Sequence, residues 1–218
     1  MQTEQRKILY SFSYPILFIA FLWIIKLIEI KSGTSFAVYG IYPLQAKGLI
    51  GIIAMPLIHA DINHLFANSV PLIVLGAGLF YFYREIALPS FFLIYILSGL
   101  WVWLFSRGIY PHIGASGLVY GLAVFHFVSG IIRRDNKLMA FSLLIVFLYG
   151  SLIWGFFPEF FPEKNISWEG HLMGAIAGFV IAIYYRKKGP QKEEYIWDEE
   201  EEGDDDENNT TIIYHLKD

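Results

Sequence analysis

The sequence predicts an all-α membrane protein in which six transmembrane helices form a bundle, with a long first external loop that lies partly in the membrane interface. The first observation behind this prediction is the composition, since 56% of the 218 residues are hydrophobic and 18% are aromatic, well above the values of soluble domains. The second is the grouping of the apolar residues into six runs. Each is long enough, or nearly so, to cross the roughly 30 Å hydrocarbon core of a bilayer.

The six runs cover residues 12–30, 64–83, 88–106, 114–132, 138–156 and 169–185. The first run is too long for the apolar part of a cleavable signal peptide, and no small-residue cleavage site follows it, so we expect a retained membrane helix. Residues 31–63, which join the first two runs, mix glycine and proline with apolar side chains. This mixture predicts a folded loop that is partly interfacial.

The basic residues that flank the runs predict the orientation of the bundle. One set of alternate ends carries ten of them and the other set carries four; the ten are Arg6, Lys7, Arg84, Arg133, Arg134, Lys137, Arg186, Lys187, Lys188 and Lys192. The positive-inside rule places the ten in the cytoplasm together with both termini, so the second, fourth and sixth helices begin on the extracytoplasmic side. We expect a multi-pass protein of a bacterial plasma membrane.

The charge is distributed unevenly and predicts two regions, a membrane domain over residues 1–188 and an acidic cytoplasmic tail over residues 189–218. The net charge is −4, but residues 193–218 hold twelve carboxylates and one lysine, whereas residues 1–192 hold fifteen basic and eight acidic side chains. A tail of this composition has too little apolar surface to fold by itself, which predicts disorder.

Several chemistries are disfavoured by missing residue types. The sequence has no cysteine, which excludes disulfides, thiolate metal sites and cysteine proteases. It has no His-Glu-x-x-His segment for a metalloprotease, and no aspartate in any span for an aspartyl intramembrane protease. We therefore expect neither a metal nor a cofactor, and no binding of nucleic acid.

A few polar residues in or near the spans form the candidate site, because unmatched polar groups are costly in hydrocarbon. His64 and Asn68 open the second helix, Ser116 and Tyr120 lie near the start of the fourth, and His171 lies near the start of the sixth. All three helices begin on the same side, so these residues should lie at a similar depth. Both pairs are four residues apart and so share a helix face.

Two other polar residues in the spans have simpler interpretations. Lys26 lies near the outer end of the first helix, where its side chain can reach the interface. His126 lies in the middle of the fourth span, which favours a hydrogen bond to a neighbouring helix over catalysis.

Glycines on the fourth and sixth helices predict close contact between these two helices. Gly117 and Gly121 follow Ser116, and Gly174 and Gly178 follow His171 at plus three and plus seven. Small residues at such spacing allow helix backbones to approach, which would bring the serine and the histidine within hydrogen-bond reach. The same pattern occurs in many membrane helices, so from the residues alone a Ser/His hydrolase is one of several open interpretations.

Three separated motifs resemble those of the rhomboid intramembrane serine proteases. His64-Leu65-Phe66-Ala67-Asn68 is similar to the family's His-x-x-x-Asn, Gly114-Ala115-Ser116-Gly117 to its Gly-x-Ser-Gly, and His171-Leu172-Met173-Gly174 with Gly178 to its His-x-x-Gly-x-x-x-Gly. Their order, intervals and placement on helices agree with the family over about residues 10–186. The Trp-Arg pair that many members carry in the first external loop has no equivalent here.

The resemblance implies a rhomboid-like fold and an intramembrane serine endopeptidase with a Ser/His dyad. Ser116 would be the nucleophile and His171 the general base, with Tyr120 packed against the histidine. It also implies that His64, the Asn68 amide and the Ser116 backbone N–H stabilise the oxyanion. The implied substrates are transmembrane segments of membrane proteins in the lipid bilayer, cleaved near the extracytoplasmic face.

Two alternatives of other classes stay open, a non-proteolytic rhomboid-like chaperone and a small transporter. The polar cluster is confined to one depth, which disfavours a continuous transport route. The sequence does not specify the oligomeric state.

Overall fold

The structure, a computed structural model, describes residues 2–149 and 167–191. Its elements are α-helices α1 (Gln2–Ser32), α2 (Gly51–Ala54), α3 (Ile62–Phe82), α4 (Ala87–Phe105), α5 (Ser116–Arg133), α6 (Asn136–Tyr149) and α7 (Trp168–Tyr184), with short 3₁₀ turns at Phe36–Tyr39, Ala46–Gly48 and Met55–Leu57. Within the described ranges the protein is helical, and its one β-type pairing is an isolated bridge between Ile41 and His112.

Four of these helices are long and apolar enough to cross a membrane: Glu4–Ser32 within α1, and the whole of α3, α4 and α5. They correspond to the first four predicted spans. Helix α7 corresponds to the sixth predicted span and has 17 residues. The fifth predicted span, 138–156, overlaps α6 but extends into residues outside the described ranges, as does almost all of the predicted acidic tail.

Helix α1 is longer than its predicted span of 12–30, since it has 31 residues, or roughly 46 Å at 1.5 Å per residue. An apolar run marks the part of a helix that lies in hydrocarbon. The mostly polar residues 2–7, among them the good helix formers Gln, Glu, Arg and Lys, extend the helix beyond that part.

Helix α5 lies at the centre of the bundle and packs against α3, α4, α6 and α7. Its side chains Leu118, Leu122 and Phe125 have no exposed surface. The helix ends at Arg134, whose left-handed backbone (φ 52°) closes its last turn. The core is thus organised around the helix that begins at Ser116.

Residues 33–61 and 106–115 lie at one end of the bundle, here called the loop end. They are joined by two backbone hydrogen bonds between Ile41 and His112, of 2.9 and 3.0 Å, and by a third of 2.9 Å from Gly114 N to Met55 O. The longer loop buries Ile41 and Met55 yet exposes apolar side chains such as Ile50 and Ile53. It is therefore folded, and it holds the segment that leads into α5.

Candidate active site

Ser116 is the first residue of α5, at the loop end. The residue before it, Ala115, is the N-cap, and Gly114 has a positive φ of 108°, a conformation that L side chains rarely adopt. The first backbone N–H groups of a helix have no partner within the helix, and the helix dipole is positive there. The Ser116 hydroxyl therefore lies beside N–H groups suited to an anion.

His171 lies in the first turn of α7, which is capped by the Ser167 hydroxyl. Its Nε2 is 2.9 Å from Ser116 Oγ, and its side chain is buried, with 7% of the residue surface exposed. The Tyr120 ring stacks on the imidazole, with centroids 4.2 Å apart and planes within 8°. Residues 55 positions apart are thus in hydrogen-bond contact, and the ring of the histidine is held in one plane.

The contact between α5 and α7 depends on glycines. A Cβ atom built on Gly174 would overlap the backbone carbonyl of Gly117, and one on Gly178 would overlap the carbonyl of Gly121. The helices therefore touch backbone to backbone, as the glycine spacing predicts. Any larger residue at these positions would push His171 away from Ser116.

The residues predicted to stabilise an oxyanion converge on the turn before Ser116. A Cβ atom built on Gly114 would lie 2.8 Å from His64 Nε2 and 3.8 Å from Asn68 Nδ2, so both side chains face this turn. Asn68 is 95% buried, and its Nδ2 donates to no acceptor within the described ranges. A buried amide without a partner is unusual, and here it lies beside the serine. The chemical roles of these residues stay predictions.

A second loop histidine, His59, also borders the site, and the sequence reasoning did not include it. The residue is 2% exposed, its ring lies 5.1 Å from that of His64, and its Nε2 accepts a long hydrogen bond of 3.4 Å from Ala115 N. Burial, with the nearby charges of His64 and Lys26, lowers the pKa of His59 from 6.5 to about 3. The signal that could have found it is its place five residues before His64, in the loop that leads into the second span.

The expectation that Lys26 reaches the interface is wrong. Its ammonium group is buried and forms an ion pair of 2.6 Å with Glu29. It also donates to the carbonyls of His59 and Ala60, at 2.9 and 3.0 Å. The physical reason is that the loop end folds over this part of α1 and offers acceptors nearer than water.

The start of α7 is tied to the loop that precedes Ser116. Ser167 Oγ is 2.6 Å from His112 Nδ1, and a Glu169 oxygen accepts the Arg107 N–H at 2.8 Å. Burial lowers the pKa of His112 below its ordinary value, and the Glu169 carboxylate partly opposes this effect. These contacts fix the ends of the two helices that carry Ser116 and His171.

One further expectation concerns His126, a residue away from the serine. His126 Nε2 is 2.9 Å from the carbonyl of Leu75 on α3, which confirms the predicted hydrogen bond between helices. Among residues 2–149 and 167–191, no group of three or more His, Asp or Glu side chains is arranged to hold a metal ion.

Comparison with known proteins gives two kinds of similarity. Residues 46–188 match the model of the rhomboid domain family. The uncharacterized protein Rv1337 of Mycobacterium tuberculosis is 40% identical over 186 residues, covering 81% of this chain and 75% of the relative. The uncharacterized protein ML1171 of Mycobacterium leprae is 35% identical, covering 81% and 71%. Rhomboid-related protein 2 of Mus musculus is 28% identical, covering 59% and 45%.

The matched segment includes all three motifs, from His64 to Gly178, and begins within the loop end. Its helices are those that position Ser116 beside His171. Together with the apolar helices, the match makes the chain an integral membrane protein that belongs to the rhomboid family.

Proposed function

We propose that the chain is an intramembrane serine endopeptidase, which cleaves transmembrane segments of membrane proteins near the extracytoplasmic face. The observation that carries the proposal is the 2.9 Å contact between Ser116 Oγ and His171 Nε2 at the adjoining ends of two glycine-packed helices. This distance lies within the range expected for a nucleophile and its base. Membership of the rhomboid family supports the same reaction.

The reaction begins when neutral His171 accepts the Ser116 hydroxyl proton at Nε2 while Oγ attacks the carbonyl carbon of the scissile peptide bond. General base catalysis of this kind contributes about 10² to 10⁴ in rate. The tetrahedral intermediate then collapses, the C–N bond breaks, and the imidazolium donates the proton to the leaving amine. Water, activated by the same histidine, hydrolyses the acyl-enzyme and regenerates Ser116.

The oxyanion of the intermediate lies beside the first turn of α5, where it accepts hydrogen bonds from the Ser116 N–H, the Asn68 amide and His64. The unused Nδ2 of Asn68 is suited to this role, because it acquires an acceptor when negative charge develops. The stacked Tyr120 ring holds the His171 imidazole in the plane that points Nε2 at the serine. The barrier is lowered by groups that are in place before the substrate binds.

The distribution of the flanking basic residues supports cytoplasmic termini, which places the loop end outside. The mycobacterial relatives support a bacterial plasma membrane. Water would then reach Ser116 from the outer face. A substrate helix hides its carbonyls in its own hydrogen bonds, so it must unwind near that face before cleavage. Substrates with glycine or other weak helix formers at this depth are favoured.

The test is labelling of the purified protein in detergent by a fluorogenic serine-directed phosphonate, with Ser116→Ala and His171→Ala as variants. Ser90→Ala, which alters a buried serine of α4, is the matched control, and unfolding temperatures verify that all four proteins are folded. We expect labelling of the wild type and the control, with the adduct on Ser116 and none in the other two variants. Folded wild type that resists several phosphonates and leaves a model transmembrane substrate intact would favour a non-proteolytic rhomboid-like protein.

A further inference from the structure

Helix α1 carries a buried ion pair whose remaining hydrogen bonds all reach the loop end. Lys26 and Glu29 are each 8% exposed and lie 2.6 Å apart. Lys26 donates to the carbonyls of His59 and Ala60, and Glu29 accepts the N–H of Phe36 at 2.8 Å. The pair thus connects a peripheral helix to two points of the loop that leads into α3.

An ion pair of this kind is a poor device for stability alone. Transfer of two charges from water to a buried site carries a large desolvation cost, and apolar replacements of buried pairs are often neutral or stabilising. The pair instead fixes the position of the loop backbone, because Lys26 Nζ donates to the carbonyls of two consecutive loop residues. The backbone of His59 and Ala60 is therefore held in one place relative to α1.

The held residues lie directly against the turn that precedes Ser116. The Ala60 N–H approaches His64 Nδ1 at 3.4 Å, and Asp61 caps α3 by accepting the His64 N–H at 2.8 Å. The His59 ring accepts from Ala115 N, the N-cap of α5. A displacement of this backbone would move both His64 and the first turn of α5.

His59 can act in this way because its imidazole is neutral. An acceptor at Nε2 requires that the ring proton lie on Nδ1, and burial among Lys26 and His64 opposes a second proton. Nδ1 makes no hydrogen bond of regular geometry among the described residues, and the backbone of Leu57 faces the ring. The ring therefore contacts Ala115, His64 and the Leu57 backbone.

We propose that Lys26 and Glu29 are positioning residues for the oxyanion side of the active site, acting through the backbone of His59 and Ala60 on His64 and on the start of α5. The inference rests on the proposed protease function for its kinetic consequence. Its structural consequence, that Lys26 and Glu29 on α1 hold residues 114–117 in position through the loop backbone, is independent of that function. Small displacements of catalytic groups cost large factors in rate, about 10²-fold for 1 Å.

The experiment compares Lys26→Met and Glu29→Gln in the full chain with Lys31→Met, the same substitution at an exposed lysine of the last turn of α1. Cleavage of a model transmembrane substrate gives kcat and KM, and hydrogen–deuterium exchange followed by mass spectrometry reports on residues 58–64 and 113–118. For Lys26→Met we expect kcat to fall about tenfold or more, KM to change less than about twofold, and exchange to rise in both segments. Glu29→Gln, which keeps an acceptor for Phe36, should show a smaller effect of the same kind, and Lys31→Met should show none.

A rise in exchange confined to α1, or unchanged exchange at 113–118, would overturn the inference. So would a Lys26→Met/Glu29→Leu double variant that unfolds at the wild-type temperature and has wild-type kcat, because the defect of Lys26→Met would then come from the unpaired Glu29 carboxylate and not from lost positioning. If the wild type and Ser116→Ala are equally inactive, the proposed function fails. The exchange data still decide the link from α1 to the start of α5 in that case.

Discussion

The two ends of helix α5 both carry buried polar groups, but these groups differ in how many of their hydrogen bonds are made within the protein. At the end remote from the serine, Arg133 donates to Ser129 Oγ and to the carbonyls of Tyr185, Lys188 and Pro190, at 2.6 to 2.9 Å. A guanidinium group has five N–H donors, so Arg133 uses most of its capacity to hold the chain that follows α7.

At the loop end, a buried N–H donor lacks a hydrogen-bond acceptor. Asn68 Nδ2 is buried and makes no hydrogen bond within the described ranges, although it borders the turn before Ser116. A group such as Arg133 stabilises the fold, because most of its N–H donors already have acceptors within the protein and few are free to bind a ligand. Buried donors without acceptors cost stability when nothing is bound and become useful when charge develops beside them.

The largest expected difference between the two ends is in the effect of Asn68→Ala on turnover. Loss of one oxyanion donor lowers kcat by about 10² to 10³, whereas the unfolding temperature should stay the same or rise, since a buried donor without a partner is removed. Cleavage of a model transmembrane substrate measures the first quantity and thermal unfolding in detergent the second. Asn63→Ala, the same change at an exposed asparagine of α3, should retain wild-type turnover. Unchanged kcat in Asn68→Ala would remove Asn68 from the mechanism.

The opposite pattern is expected for Arg133→Met. This change removes the Arg133 hydrogen bond from three carbonyls, of which that of Tyr185 still accepts the Lys188 N–H. It should reduce the free energy of unfolding by about 2–4 kcal/mol, seen as a lower unfolding temperature. The turnover of the folded fraction should remain within about twofold of the wild type. Arg134→Met is the matched control, because Arg134 is the next residue in the chain and its side chain is exposed. A loss of kcat in folded Arg133→Met would show that the two ends of α5 are coupled.

The smallest effect concerns the dependence of stability on pH through His59. Its folded-state pKa of about 3 lies below the ordinary 6.5, so the unfolded chain binds the proton more readily. The contribution of His59 is fully present above pH 6.5 and is lost as the pH falls toward 3, by at most about 1.4 kcal/mol per pH unit. Burial is the largest cause of this lowered pKa; of the titratable groups that face His59, His64 and Lys26 lower the pKa further and Asp61 opposes them.

Thermal unfolding at pH 7.5 and pH 5 checks this prediction in the wild type and in His59→Gln. Glutamine retains an acceptor for the Ala115 N–H but does not titrate, so its unfolding temperature should fall less between the two pH values. Equal falls in the two proteins would assign the acid sensitivity to other groups, among them the half-buried His112.

The sequence by itself determined the positions of the apolar helices α1, α3, α4, α5 and α7 and the contact between the two helices that carry Ser116 and His171. Apolar length locates spans because the bilayer core has a fixed thickness, and three predicted starts at 64, 114 and 169 lie close to the observed Ile62, Ser116 and Trp168. The glycine spacing predicted contact between α5 and α7, because small residues on one face leave backbone as the only surface.

The tertiary structure alone decided how Lys26 and His59 are connected to the turn before the serine. Both lie outside every recognised motif, and apart from Glu29 their hydrogen-bond partners here are backbone groups: the carbonyls of His59 and Ala60, and the N–H of Ala115. Every residue has such groups, so the sequence carries no signal for which of them will meet a given side chain. The path of an irregular loop sets those meetings, and that path follows from the packing of the whole loop end.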